Sequence, residues 1–159
     1  MIARVIFFAI LIISSLTSVS QTALSDSTRI VVAELSTFET IMQEVMYHGE
    51  GGVGPTYKPK VYSTFERLVQ VATEDELIEL CNSKNALVAC YALKALLEKG
   101  STQILTVIGS LEDSRIRVEE VNDDIIETPE IFIWMIDEAL YYQSYKDFGF
   151  SPIEISTLK

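Results

Sequence analysis

Apolar residues fall along this chain mostly three and four apart, the mark of helices that bury one face. Val31, Leu35, Phe38, Met42 and Val45 make the first such stripe, with Glu34, Glu39 and Glu44 largely off it. The pattern predicts a helix ending near His48, where Gly49, Gly51, Gly52, Gly54 and Pro55 break regular structure. A second helix is predicted from Lys60, just after Pro59, with Tyr62, Phe65, Leu68 and Val69 inward and a stop near Ala72. Thr73 then opens a third, short helix. Glu76 stands three residues on, so hydroxyl and carboxylate can each satisfy a free backbone N–H, as in a capping box. Leu77, Ile78 and Leu80 give that helix its apolar side. After a polar turn from Asn82 to Asn85, Leu87, Val88, Tyr91, Ala92, Ala95 and Leu96 follow helical spacing up to Lys99, and Gly100 supplies the stop.

Ser101 is a candidate cap for a further helix carrying Ile104, Leu105, Val107, Ile108 and Leu111, with Gly109 weakening its far end. The helical pattern then fades between Glu112 and Glu127. Ile116 and Val118 alternate with Arg115 and Arg117, which fits a short extended piece. Thr128 and Pro129 form a helix start, because proline in the first turn gives up no needed N–H. Ile131, Phe132, Met135, Ile136 and Ala139 carry that last helix inward. The tail from Phe148 to Lys159 holds Phe150, Ile153 and Ile155 and is expected to dock in part. The fold class predicted is all-α: short antiparallel helical hairpins stacked as one compact domain, with no exact internal repeat.

The first twenty residues differ from the rest. Arg4 precedes an apolar run from Val5 to Ile13, and Ser18 and Ser20 occupy the small-residue positions before a cut ahead of Gln21. This is the layout of a secretory signal peptide, and the run is shorter than the roughly 20 residues of a membrane span. The expected organisation is a leader over residues 1–20 and a single domain over 21–159. The expected location is therefore outside the cytoplasm, periplasmic or secreted, with no stable membrane anchor once the leader is cut.

Composition narrows the partners. Of the 159 residues, 48% are hydrophobic, enough for a packed core without a metal. Acidic residues number 23 against 12 basic, a formal net charge of -11. That charge repels phosphate backbones and anionic headgroups, which argues against nucleic acid and favours a basic protein surface or simple solubility. Cys81 and Cys90 are the two cysteines. In an oxidising compartment they can bridge, while each equally suits a core position as a small hydrophobe, and the sequence leaves both open.

Residues Phe65 to Lys99, FERLVQVATEDELIELCNSKNALVACYALKALLEK, resemble HEAT-like helical repeat proteins, notably small exported bacterial ones. The likeness lies in Glu76 to Leu80 on one helix, the asparagine-containing turn Asn82 to Asn85, and Val88 to Leu96 on the next helix. Ala89 stands where that family usually has arginine, and Ala86 where proline is common. The resemblance implies a compact HEAT-like domain and a protein-interaction role, and no catalytic residue.

No residue pattern calls for catalysis, a cofactor or a metal. His48 is the single histidine, too few for a histidine-rich zinc site, and has no nucleophile or orienting partner nearby in sequence. The glycine-rich stretch from Gly49 to Pro55 lacks a following Gly-Lys-Ser/Thr and lies between helices, so a connector is expected. Glu119, Glu120, Asp123, Asp124, Glu127 and Glu130 lack the spacing and glycine of a calcium loop. A solvated acidic loop is the plain expectation, and Glu119, Glu120, Asp123, Asp124 and Glu127 are the candidates for contact with a basic partner. On the last helix, Tyr141 and Tyr142 join them as partner-contact candidates, whereas Trp134 falls near the inward positions. A protein-binding or scaffolding module is the leading expectation. A structural envelope component and an enzyme with an unrecognised site are the alternatives.

Overall fold

The computed structural model describes residues 23–42, 46–47, 56–122 and 125–146. The leader, His48, the glycine-rich stretch, Asp123, Asp124 and the tail from Phe148 lie outside the described residues. Six helices are described: α1 (Asp26–Leu35), α2 (Lys60–Val71), α3 (Glu74–Leu80), α4 (Ala86–Lys99), α5 (Ile104–Gly109) and α6 (Ile131–Lys146). Five short strands accompany them: β1 (Thr40–Met42), β2 (Met46–Tyr47), β3 (Thr56–Tyr57), β4 (Glu119–Asn122) and β5 (Ile125–Glu127).

The middle of the molecule follows the sequence pattern closely. Thr73 and Glu76 form the capping box of α3, with the Glu76 N–H donating to the Thr73 hydroxyl and the Thr73 N–H donating back to the Glu76 carboxylate at 2.7 Å. Asn85 caps α4 by accepting from the Val88 N–H. At the other end, Gly100 adopts φ 70°, where a side chain would be strained. The Ser101 N–H then reaches the Leu96 carbonyl and the Gly100 N–H the Leu97 carbonyl, a Schellman closure.

Helix α4 is the axis of the core. Leu87, Val88, Ala89, Cys90, Tyr91, Ala92, Leu93, Ala95, Leu96 and Leu97 are all buried, so it is apolar over most of its circumference, with Lys94 and Glu98 the polar exceptions before its last residue, as suits a helix packed among neighbours. It packs against α1, α2, α3, α5 and α6. Phe65 of α2 stacks on Tyr91 with ring centroids 5.2 Å apart. The small Ala89, Ala92 and Ala95 let neighbouring backbones approach.

The all-α expectation is corrected: β1, β4 and β5 form a three-stranded mixed sheet and β2 pairs with β3. The predicted first helix stops at Leu35 because Ser36 and Thr37 turn their hydroxyls back onto the carbonyls of Ala33 and Glu34, competing with helical continuation. The chain then extends, and Ile41 is buried from a strand rather than from a helix face. Thr40, Ile41 and Met42 run parallel to Glu119, Glu120 and Val121. The Tyr91 hydroxyl fastens β1 to α4, accepting from the Met42 N–H at 3.1 Å.

The stretch read as a fading acidic loop is a hairpin. Glu120 faces Glu127, Val121 faces Ile126 and Asn122 faces Ile125, antiparallel. The extended piece expected near Arg115 to Val118 leads into it, with Arg117 bridged to Glu130. The Val118 N–H donates to the Pro129 carbonyl and the Ile131 N–H to the Ile116 carbonyl. These bonds hold Pro129 and Glu130 extended, so α6 begins at Ile131, later than the proline signal indicated.

Candidate interaction surface

The hairpin β4–β5 is seated beside the helices through β1, which it pairs with and which packs on α2, and through one side-chain bond to α6. Cross-strand partners share a face of a sheet, so Ile41, Glu120 and Glu127 form one row and Met42, Val121 and Ile126 another. The first row runs from the core to solvent: Ile41 is buried, Glu120 half-buried and Glu127 exposed. Trp134 of α6, itself buried, donates its indole N–H to the Glu120 carboxylate at 2.9 Å. Burial raises the Glu120 carboxyl above its ordinary range. The Trp134 hydrogen bond and the Lys94 charge work the other way, and the Glu138 and Glu127 charges add to the rise.

Beneath this seat lies a mostly enclosed polar and aromatic group. The Lys94 ammonium of α4 is 2.7 Å from the Glu138 carboxylate of α6, with side-chain exposures of only 15% and 13%. It also sits 6.0 Å from the ring centroids of Tyr62 and Tyr142. The Tyr142 hydroxyl donates to Glu98 at 2.6 Å. Burial, followed by the Glu98 contact, pushes the Tyr142 phenol far up, so it stays a neutral donor. Every charge in the group faces an opposite charge, a ring or a hydroxyl, which is how a buried ion pair is made tolerable.

The partner-contact candidates therefore divide. Glu119 and Glu127 are exposed on the hairpin, and Tyr141 is exposed on α6. Glu120 is committed to Trp134, and Tyr142 is buried against Glu98. Asp123 and Asp124 lie outside the described residues. The sequence reading missed Ile125 and Ile126, which are 57% and 65% exposed. A signal for them stands in the sequence: Asn122, Asp123 and Asp124 between β-branched residues are turn formers bounding two short strands. Ile116 and Ile133 are exposed large apolar side chains on neighbouring elements of the chain.

Other candidate chemistry is quiet. Cys81 and Cys90 are both buried free thiols. Burial pushes the Cys81 thiol up to about 12 and, with Cys81 beside it, holds Cys90 well above its usual value. Neither has the thiolate character of a reactive cysteine. Among the described residues, no three or more His, Cys, Asp or Glu side chains are grouped to hold a metal ion. No described helix is long and apolar enough to cross a membrane. Comparison of the chain with family models, with curated proteins and with solved structures gives no match.

Proposed function

We propose that this chain is an exported, non-catalytic protein-binding module that presents its acidic hairpin to a partner with a basic surface. One observation carries the reading. Two consecutive large apolar residues, Ile125 and Ile126, stand in solvent on the two faces of one strand, each beside an exposed carboxylate on its own face: Glu127 for Ile125 and Glu119 for Ile126. Exposed apolar side chains rimmed by charge are the make-up of a recognition patch. A net charge of -11 gives such a patch long-range attraction for basic partners and repulsion for nucleic acid. The leader-like residues 1–20 support export. The likeness of Phe65 to Lys99 to a HEAT-type helix pair agrees with an interaction role.

The test is affinity capture of tagged chain from the envelope fraction, with mass spectrometry of what accompanies it. The reading expects a specific protein retained at low salt and released as salt rises, since surface charge attraction is screened. No accompanying protein at any salt concentration overturns it.

A further inference from the structure

We infer that the outer edge of β5 is a strand-addition site, where an extended basic peptide segment of the partner joins the three-stranded sheet as its fourth strand. The inference rests on the binding reading above and specifies how that binding is made.

The sheet order is β1-β4-β5, so β5 is an edge strand among the described residues. Its hydrogen-bonding phase is fixed by its register. Asn122 and Ile125 lie three apart in sequence and face each other. A pair that close can only be the kind that exchanges both hydrogen bonds. Bonding alternates along an antiparallel pair, so Val121 and Ile126 are the non-bonded pair, and the Ile126 N–H and C=O point away from β4. This donor and acceptor stand on the open edge, and the side chain between them is 65% exposed.

Sheet edges are normally blunted by lysine, proline or a covering element, because an open edge templates pairing. β5 has the sequence Ile-Ile-Glu and carries none of these within it. The nearby arginines are engaged elsewhere on the hairpin base: Arg117 donates to the Thr128 carbonyl and Arg115 pairs with Glu130 at 3.1 Å. The hairpin therefore offers apolar surface and uncompensated carboxylate together.

Those features define the occupant. An added strand places alternate side chains on the two faces. On the face bearing Met42, Val121 and Ile126, an apolar side chain extends an existing apolar row. On the face bearing Glu127, a lysine or arginine meets an exposed carboxylate that opposes Glu120 across the strands, a like-charge arrangement a cation relieves. The fitting segment thus alternates apolar and basic residues. A second copy of this chain is disfavoured, since it brings acidic strand to acidic strand on molecules each carrying -11.

The probe is an acetylated, amidated Lys-Val-Lys-Val-Lys-Val-Lys heptapeptide titrated into the full chain. Its counterpart is N-methylated at the valines, whose N–H groups face Ile126 when a valine lies opposite it in an antiparallel added strand, so those donors are removed and the charge is kept. Backbone amide resonances of Ile125 to Glu127 are followed throughout. The inference expects binding that shifts those amides and weakens about tenfold on N-methylation, the effect of losing one or two net hydrogen bonds. Ile126→Pro in the protein should weaken the parent peptide by a similar factor. The substituted N–H bonds nothing within the sheet, and circular dichroism checks that the variant keeps its fold. Equal binding of the two peptides to the wild-type chain overturns strand addition, as does binding that leaves Ile125 to Glu127 unmoved or no binding at all. A protein captured equally by wild type and a folded Ile126→Pro variant would overturn strand addition alone and leave the binding reading standing.

Discussion

Glu76 shows how one side chain can do more than its local motif announces. The capping box was legible from Thr73 and Glu76, four positions of sequence. What the sequence did not show is that the same carboxylate accepts from the Ser25 N–H at 2.6 Å and from the Thr28 hydroxyl at 3.1 Å, tying the start of α1 to the start of α3. Burial works to raise its carboxyl, but the N–H groups of Ser25 and Thr73 and the hydroxyls of Ser25 and Thr28 outweigh it and lower the value from 4.5 to about 2. A depressed carboxyl contributes stability above its unfolded value and loses it as pH falls toward the folded one. Glu76→Gln should therefore cost roughly 2 kcal/mol at neutral pH. The gap to wild type should narrow as pH drops from 4.5 toward about 2, checked by urea unfolding across that range. Glu120 has the opposite sign. Its carboxyl is raised, so its ionised form weighs against the fold at neutral pH and the penalty vanishes below the unfolded value. Glu120→Gln keeps an acceptor for Trp134 and should match or exceed wild-type stability at pH 7, by about 0.5 kcal/mol after solvent screening. At pH 3 the two should converge.

At the level of elements, helices were read far better than strands. Helices α2, α3 and α4 declare themselves through periodic apolar residues, a capping box and a glycine stop, all of them local signals. The strands β1 and β5 are three residues each, too short for alternation to stand out. β1 owes its existence to pairing with β4 much later in the chain, which no local pattern encodes. Phe38 and Met42 happened to continue the spacing of Val31 and Leu35, and the hydroxyl turns at Ser36 and Thr37 overrode it. The acidic hairpin was legible as a charged segment and as the candidate contact, but its shape was not. Besides its pairing with β1, it is attached through Trp134, whose inward position the helical spacing did indicate. Trp134→Phe keeps most of the apolar volume and removes the bond to Glu120. Amide exchange across Glu119 to Glu127 should then rise about tenfold while exchange in α4 stays unchanged, because one hydrogen bond to a charged group is lost locally. Equal acceleration in α4 would mean that Trp134 supports the whole core and not the hairpin in particular.

For the molecule as a whole, the division of labour is between an apolar axis and an acidic margin. Helix α4 packs among five other helices, and its Lys94 and Glu98 side chains join it to α6 through the Lys94–Glu138 pair and the Tyr142–Glu98 bond. Beside this base lies the hairpin β4–β5, on which Glu119, Glu127, Ile125 and Ile126 are exposed. The most direct test of this account is the affinity of the captured partner, titrated at low and physiological salt against wild type and against the paired variant Glu119→Gln and Glu127→Gln. Both residues are exposed, so the fold is spared. The account predicts that the paired variant binds about tenfold more weakly at low salt, with a shallower salt dependence, because rim charges supply attraction and orientation. Equal affinity and equal salt dependence for the two proteins would contradict it and place the binding surface elsewhere on the molecule.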